Sequence, residues 1–226
     1  MEIYILIACE ESQAECRAFR ELGFEAYSCD VKPCRRGGNP DWHIQGDVTP
    51  FLKGETQFVT QSGKKRSVPR WTLIIAHPPC TYLCRVGAIH LMRNPDYSVI
   101  DNGKEKRVNF HRWCKLKEAR DFFRTCMQAQ APYVAVENPV PLAIARLPPP
   151  SCFVQPFWFG VKYSKKTLFW LKNLPPIMPQ LIYPDAKSFV YYSRGHYRSR
   201  TFPEMAKAIA QQWSEYIMND MKQNEK

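Results

Sequence analysis

A strand–helix–strand unit occupies the first 30 residues, and it constrains the fold more than any other feature. Residues 3–9 are a continuous apolar run of strand length. Residues 14–22 place apolar side chains on one helical face and polar ones, Glu15 among them, on the face expected to meet solvent. Gly23 ends this helix, and residues 25–30 form a second short strand. Two strands joined through a helix predict a parallel pair.

Buried strands and helices continue to alternate along the chain. Residues 71–76, 133–137 and 166–171 read as strands, and apolar side chains recur at helical spacing over residues 113–127. A last helix begins at Pro203. The sequence therefore predicts an α/β fold: a doubly wound, mostly parallel sheet covered on both faces, with ligands at the carboxyl ends of the strands.

Two segments interrupt this alternation. Residues 57–70 have two β-leaning arms around Ser62-Gly63 and predict an inserted hairpin with a basic tip. Residues 94–103 read as a loop, and the polar, basic stretch after them reads as a flap. A chain of 226 residues has room for one α/β domain, so we expect residues 1–226 to form a single domain.

The charge of the chain favours a polyanionic partner. Its formal net charge is +11 and its pI about 9.3, which favours nucleic acid, although such a balance also serves general solubility.

Nine cysteines without CxxC spacing indicate neither a zinc site nor a disulfide framework, so we expect a reducing, cytoplasmic compartment. No apolar run approaches the roughly 20 residues of a membrane span. Residues 3–9 lack the flanks of a signal peptide.

Reactive side chains follow two of the predicted strands. Cys80 comes directly after Pro78 and Pro79, whose restricted backbone presents the next side chain rigidly, and a thiol there is a nucleophile once its pKa falls. Glu137 closes an apolar strand, where burial raises the pKa of a carboxyl and makes it a proton donor. The alternatives are a buried structural cysteine and a carboxylate paired with a basic residue. Of the five scattered histidines only His77, beside this turn, is a candidate for chemistry, and no metal site is indicated.

Two acids lie at the same predicted edge of the sheet. Asp30 ends the second strand, where nucleotide-binding doubly wound folds hydrogen-bond a ribose. Asp47 follows Gly46, between the second and third strands. Each also reads as a solvated loop acid, and Asp47 as a helix cap. Together they favour a cofactor that contains a nucleoside.

Four segments in this order resemble the cytosine-5 DNA methyltransferases. They are Pro78-Pro79-Cys80, Glu137-Asn138-Pro139, residues 160–171 (GVKYSKKTLFWL) and residues 199–210 (SRTFPEMAKAIA). The resemblance runs over nearly the whole chain and looks most like the short members that bacteriophages carry. It implies a Rossmann-like class I methyltransferase fold and S-adenosylmethionine as the cofactor. The implied reaction is methyl transfer to C5 of cytosine in DNA, as in restriction–modification.

The resemblance implies a role for each matching residue at the reacting base. Cys80 corresponds to the nucleophile that adds to C6 of cytosine, and Glu137 to the carboxyl that holds and protonates N3. Lys165 takes the position of a family arginine in the basic strand. Further substrate contacts are implied for Pro79, Asn138 and Tyr163.

The resemblance also implies where the cofactor binds. Asp30 matches the acid at the cofactor ribose, and Asp47 the aspartate that meets the adenine amino group. The full set of implied cofactor contacts is Cys9, Glu10, Glu11, Ser12, Asp30, Val31, Asp47, Val48, Pro78 and Thr201. The first loop of the family is rich in glycine, whereas residues 9–13 of this chain (CEESQ) contain none.

Full-length members of the family carry a target-recognition domain between the basic strand and the last helix. Here only residues 172–200 fill that gap, so no separate recognition domain is expected. This reduced segment is rich in Tyr and Arg, and Arg194 and Arg198 are expected to bind DNA, because aromatics interleaved with cations suit stacking on bases and contact with phosphates. An ordinary surface loop is the alternative. Single-stranded DNA, duplex DNA read with relaxed specificity, and a free nucleotide are all open as substrates.

Two other functions compete with methyl transfer. One is a nucleic-acid-binding protein that has the same fold and lacks the reaction. The other is an enzyme that acts on pyrimidine nucleotides, because addition of a cysteine at C6 serves that chemistry as well. Both enzymatic interpretations require Cys80 and Glu137 to open into the same cavity.

Overall fold

The computed structural model describes residues 2–189 and 201–224. Strands and helices alternate along much of this chain, as an α/β fold requires. In chain order they are β1 Tyr4–Ala8, α1 Ala14–Glu21, β2 Glu25–Asp30, β3 His43–Gln45, α2 Thr49–Leu52, β4 Gln57–Val59, β5 Lys65–Ser67, β6 Leu73–Ala76, β7 Tyr97–Asp101, β8 Lys104–Val108, α3 Phe110–Met127, β9 Tyr133–Pro139, β10 Cys152–Val154, β11 Tyr163–Ser164, β12 Thr167–Lys172, β13 Lys187–Ser188 and α4 Pro203–Asn224.

Seven strands form the central sheet, in the order β10–β12–β9–β6–β1–β2–β3. The five strands from β9 to β3 pair in parallel. β12 runs antiparallel to both of its neighbours, so β10 has the same direction as the other five. The prediction of an α/β fold with a large, mostly parallel sheet is confirmed.

Helices cover both faces of this sheet. On one face α1 and α4 pack through Phe19, Ile209 and Trp213. On the other face α2 and α3 pack through Leu52 and Phe123. All five side chains are almost fully enclosed. Because both faces are covered, successive residues of a central strand are buried alike, and this is why the strands read as continuous apolar runs.

The segment predicted as loop and flap is a hairpin, so that prediction is wrong. β7 and β8 pair antiparallel, and α3 begins directly after them. The turn between the strands is Asn102-Gly103, with φ angles of 50° and 72°. Asn-Gly is the dipeptide that two-residue hairpin turns favour. The signal was present in the sequence, but the polar composition of β8 (KEKRV) hid the strand.

The basic hairpin of β4 and β5 lies where the sequence predicts one. Phe58 stacks on Trp71 with ring centroids 5.7 Å apart, and Val68 is buried beside them. These apolar contacts fix the base of the hairpin to the main core. Lys65 and Arg66 of β5 are exposed, so the hairpin presents positive charge to solvent.

Across both described ranges, no helix combines the length and apolarity needed to cross a bilayer. Within the same ranges, no group of three or more His, Cys, Asp or Glu side chains is arranged to hold a metal ion. No disulfide joins the nine cysteines, all of which lie in the described part of the chain.

Candidate active site

A cavity of about 1050 Å³ opens at the carboxyl ends of β1, β2, β6 and β9. Its volume lies at the upper end of the range for small-molecule sites. Many of the residues that the sequence motifs single out line it: Cys9, Glu10, Glu11, Ser12, Asp30, Pro78, Pro79, Cys80, Glu137, Lys165 and Thr201. The parallel strands therefore bring both predicted ends of the site, the cofactor end and the base end, into one space.

Three predicted cofactor residues do not reach this cavity. The Asp47 carboxylate accepts hydrogen bonds from the backbone N–H and the hydroxyl of Thr49, at 2.9 and 2.7 Å, and so caps α2. Val48 is buried in the core behind that helix, and Val31 points into solvent. The helix-cap alternative for Asp47 is therefore the one that the geometry favours.

Two predicted substrate residues also lie outside the cavity lining. The side-chain amide of Asn138 is fully buried and donates to the Pro139 carbonyl at 2.7 Å. The ring of Tyr163 packs against Phe202, with centroids 6.2 Å apart. The other predicted DNA contacts fall outside the described residues: Arg194, Arg198 and the part of the reduced recognition segment over residues 190–200.

The register of two neighbouring strands sets Cys80 close to Glu137. Ala76, the last residue of β6, pairs with Val136 of β9, so the chain of β6 leaves the sheet beside Glu137, while β9 continues to Pro139 against β12. Cys80 comes after the two prolines, at the start of a short 3₁₀ helix, Cys80–Tyr82. Cys80 and Glu137 both line the cavity. The shared cavity that the enzymatic interpretations require is present.

The thiol of Cys80 is protonated in the resting protein. A hydrogen bond with the Cys84 side chain, then burial, then the charge of Glu137 raise the pKa of Cys80 well above its ordinary value, and Lys165 opposes them. The lowered pKa that would make this thiol a nucleophile at rest is not found, because the effects of a second thiol, burial and a carboxylate outweigh that of Lys165. Any reaction at this sulfur must therefore remove its proton as part of the chemistry.

His77 joins two carboxylates that are far apart in the chain. Its Nε2 lies 3.0 Å from Oε2 of Glu15, and its Nδ1 lies 3.4 Å from Oε2 of Glu137. The backbone N–H of His77 donates to the Ala8 carbonyl at 2.9 Å, which fixes the residue at the end of β1. The side chains of Glu15, His77 and Glu137 are 0, 14 and 16% exposed. They form an enclosed chain of ion pairs that ends at the cavity.

Glu15 contradicts the expectation that its side of α1 meets solvent. It is fully buried in the first turn of the helix, and its Oε1 makes no hydrogen bond with the described residues. A glutamate in the first helical turn is an ordinary surface feature, because it complements the helix dipole. The sequence therefore carries no sign that this one is enclosed against His77.

Opposite charges set the protonation of His77 and Glu137. Burial would lower the pKa of His77, but the charge of Glu15 and hydrogen bonds to both carboxylates raise it well above its ordinary value. Burial would raise the pKa of Glu137, but the hydrogen bond and charge of His77, and then Lys165, lower it. Of the two interpretations that the sequence leaves open for Glu137, the neutral carboxyl with a raised pKa is wrong, and the geometry favours the carboxylate paired with a basic residue. The resting side chain is a carboxylate beside an imidazolium.

Glu10 closes the amino-terminal end of α1. Its Oε1 accepts a hydrogen bond from the backbone N–H of Glu15 at 2.8 Å, and its Oε2 from that of Cys16 at 3.3 Å. A helix terminus otherwise offers such N–H groups to an anionic ligand. Burial, followed by the charge of Glu15, raises the pKa of Glu10 to about 7.

The substitution Glu10→Gln is expected to change how stability depends on pH. The pKa of Glu10 is about 7 in the folded protein, against a reference value of 4.5, so the folded state binds this proton more tightly than the unfolded state does. The resulting stabilisation is complete below pH 4.5 and is lost as the pH rises through 7. Such a shift corresponds to about 3 kcal/mol. Urea titrations should show that, between about pH 4.5 and 8, the free energy of unfolding of the wild type falls by about that amount relative to that of the variant. The exposed Glu204→Gln is the control, and an equal pH dependence in the two variants contradicts the assignment.

The glycine-free loop after β1 adopts a backbone conformation that glycine favours. Cys9 and Gln13 have φ angles of 61° and 57°, in the left-handed region that costs a residue with a side chain about 1–2 kcal/mol. Gln13 is held there by its side chain, whose amide donates to the Ser28 hydroxyl at 3.2 Å and exchanges hydrogen bonds with the Asn39 backbone at 2.9 and 2.7 Å. Side-chain hydrogen bonds thus stabilise a turn that glycine would form without strain.

The cavity is acidic beside β1 and β2. Glu11 pairs with Arg35 at 2.6 Å and with Lys32 at 3.5 Å, and Asp30 accepts a hydrogen bond from the backbone N–H of Lys32 at 2.9 Å. Other elements add cations to the lining: Arg85, Arg112, Lys165 and Lys166. The cavity therefore has one end that is rich in carboxylates and another that is lined by side chains that attract anions.

Comparison with known proteins finds a loose likeness to solved structures. No protein-family model matches the sequence, and no curated protein matches it. The chain is similar to a crystal structure described as a candidate DNA modification methyltransferase encoded within a prophage of E. coli, with 16% identity, a TM-score of 0.43 and coverage of 81% of this chain. The match covers 52% of that protein, so this chain spans about half of its length. The likeness is loose, and the proposals below rest on this chain's own residues.

Proposed function

We propose that this chain transfers a methyl group from S-adenosylmethionine to C5 of cytosine in DNA, through a covalent bond between Cys80 and C6 and with Glu137 at N3. The observation that carries the proposal is the shared cavity, which Cys80 and Glu137 line together with the acids beside β1 and β2. The sheet supports it as well. Six strands with one direction and a reversed β12 suit the Rossmann-like class I methyltransferase fold that the sequence motifs imply.

The residues present suit the chemistry of cytosine. C5 is a poor nucleophile until a sulfur adds to C6, because that addition moves ring electrons onto N3 and C5. As the S–C6 bond forms, the Cys80 thiol loses a proton and N3 gains one. Glu137 is ionised at rest, so it can accept a proton and donate it to N3. After methyl transfer, solvent water accepts the proton on C5 as the S–C6 bond breaks, and the proton on N3 returns through Glu137 to the departing sulfur, which restores the ring and the thiol.

The acidic end of the cavity fits a cationic cofactor that contains a ribose. S-adenosylmethionine, when bound, supplies a methyl group on a positively charged sulfur. Asp30 would accept hydrogen bonds from the ribose hydroxyls, and the three acids Glu10, Glu11 and Asp30 outnumber the two cations that pair with Glu11 at this end, Lys32 and Arg35, which favours a cation nearby. A dinucleotide fits less well, because Glu10 already occupies the helix N–H groups that a pyrophosphate needs.

The cations of the lining fit a DNA strand. A base inside a duplex must leave the stack before Cys80 can reach its C6. Arg85 and Lys166 would then meet the phosphates on either side of it, and the net charge of +11 adds a longer-range attraction. Arg112 already donates to the Thr81 carbonyl at 3.0 Å, so it braces the turn after Cys80.

Methyl-labelled S-adenosylmethionine offered with single-stranded DNA, the matching duplex, or free dCMP tests the proposal. We expect label in DNA, recovered as 5-methylcytosine by mass spectrometry. Turnover of dCMP without turnover of either DNA selects the pyrimidine-nucleotide enzyme instead. Salt-dependent DNA binding with neither cofactor binding nor transfer selects the inactive nucleic-acid-binding protein.

Asp30→Asn is expected to weaken binding of S-adenosylmethionine about tenfold, because the amide keeps the shape of the carboxylate but offers only one accepting oxygen and no charge. Isothermal titration calorimetry measures the change. Asp41→Asn is the matched control, since Asp41 pairs with Lys64 and does not line the cavity. Equal affinity in Asp30→Asn and the wild type removes Asp30 from the cofactor site.

A further inference from the structure

We infer that Glu15, His77 and Glu137 form one unit, in which His77, anchored from behind by Glu15, orients Glu137 and keeps it ionised for the reaction in the cavity. His77 is a positioning residue, since it acts on the substrate through Glu137. The inference rests on the proposed function for the identity of that substrate. It gives roles to Glu15 and His77, to which the sequence motifs assign none.

Both ring nitrogens of His77 face carboxylate oxygens, Nε2 at 3.0 Å from Glu15 and Nδ1 at 3.4 Å from Glu137. An ionised carboxylate only accepts hydrogen bonds, so each nitrogen needs a proton of its own and the ring is an imidazolium. The cation is almost enclosed, which strengthens its interaction with both anions. The backbone N–H of His77 is held by the Ala8 carbonyl and its Nε2 by the buried Glu15, so both the main chain and the ring are anchored on the side away from Glu137.

The charged groups around His77 come from four elements. Glu10 follows β1, Glu15 begins α1, Glu137 lies on β9 and Lys165 precedes β12. Three acidic side chains thus share two cations. Removal of the His77 cation leaves Lys165 against Glu15, Glu137 and Glu10, whose own pKa is about 7, and burial together with mutual repulsion then favours the protonated form of Glu137.

The charge of Glu137 matters because of the proton balance of the proposed reaction. The Cys80 thiol gives up one proton as the S–C6 bond forms, and N3 takes one up. A carboxylate without a proton at rest can carry that proton, whereas a carboxyl that is already protonated cannot accept it. The unit therefore sets the pH below which Glu137 no longer works.

The pH profile of kcat/KM for methyl transfer to DNA tests this inference. In His77→Gln we expect the acidic limb to move to higher pH by at least one unit, so that activity relative to the plateau, compared at a pH on the acidic limb of both proteins, falls at least tenfold below that of the wild type. A merely structural role would lower the plateau without moving the limb. An acidic limb that stays in place in a folded His77→Gln overturns the inference.

The matched control for this profile is His43→Gln. His43 is also buried, but its ring nitrogens bond the Ser28 hydroxyl and the Lys32 carbonyl, both at 2.9 Å, and not carboxylates. Its acidic limb should stay at the wild-type pH. Circular dichroism establishes that both histidine variants are folded, and a limb that moves equally in both overturns the inference.

A second measurement needs no turnover. In ¹⁵N NMR of histidine-labelled protein we expect His77 to carry both ring protons at pH 7.5 in the wild type. In Glu15→Gln we expect the pKa of His77 to be lower than in the wild type. A neutral His77 at pH 7 in the wild type overturns the inference, whether or not the protein transfers methyl groups. If the charge on His77 depends on Glu15, the unit is supported, whatever the protein modifies. If the same protein modifies no DNA, the proposed function is overturned while the unit stands.

Discussion

Cys80→Ser is expected to lower methyl transfer to DNA at least roughly 1,000-fold, because a hydroxyl is a far weaker nucleophile than a thiol and no other group in the proposed mechanism can add to C6. Affinity for S-adenosylmethionine should stay at the wild-type value, since the acids proposed to hold the cofactor lie beside β1 and β2. Initial rates with labelled cofactor and calorimetry measure the two quantities separately. Loss of both together would point to a misfolded cavity.

Two further tests sharpen this prediction. Cys114→Ser is the matched control, because Cys114 is half-buried on α3 and does not line the cavity; its rate should equal the wild-type rate. DNA that contains 5-fluorocytosine should trap the wild-type protein, since fluorine replaces the C5 proton whose loss expels the sulfur. Peptide mass spectrometry should place the adduct on Cys80. Transfer by Cys80→Ser above a tenth of the wild-type rate excludes the covalent route.

Trp213→Ala is expected to lower the free energy of unfolding by about 3–5 kcal/mol. The indole is fully buried where α4 meets the sheet, with its ring 5.7 Å from that of Phe169 in an edge-to-face contact. Its N–H donates to the Pro175 carbonyl at 3.0 Å, and this acceptor loses its partner in the variant. Urea denaturation followed by circular dichroism measures the loss.

Tyr216→Ala is the control for the tryptophan. Tyr216 lies on the same helix, one turn away, but its side chain reaches solvent and meets Tyr133 at a centroid distance of 6.4 Å. We expect a loss of less than about 1 kcal/mol. Equal losses in the two variants would contradict the assignment of this stabilisation to the burial of Trp213 against the sheet, because alanine is the better helix former at both positions.

The central elements of the fold could be predicted because their burial leaves a local record. β1 is apolar at every position since both sheet faces are covered, and α1 ends at Glu21, two residues before Gly23, which takes a φ of 87°. The hairpin of β7 and β8 could not be recognised from hydrophobic pattern, since most of its side chains are exposed. Its strands are specified by the Asn102-Gly103 turn and by cross-strand pairing, and neither depends on apolar periodicity.

The candidate site was only partly predictable. Cys80 and Glu137 stand at the ends of apolar strands, so their positions in the sequence already placed them at the binding edge of a parallel sheet. Neighbouring residues at that edge diverge, because successive side chains of a strand point to opposite faces: Glu137 lines the cavity, while Asn138 is buried away from it. Proximity to a motif therefore does not by itself place a side chain in the site.

By itself the sequence determined the α/β alternation, the direction of the central strands and the edge at which the reactive residues gather, because each of these depends on local apolar pattern and turn chemistry. Only the tertiary structure decided which side chains at that edge are charged. Charge depends on which groups enclose one another: Glu15 from the first helix meets His77, and His77 meets Glu137, across more than 100 residues of chain. Pairing of this kind is set by how the helix packs on the sheet, and it reverses the pKa directions that isolated burial would give to the histidine and to Glu137.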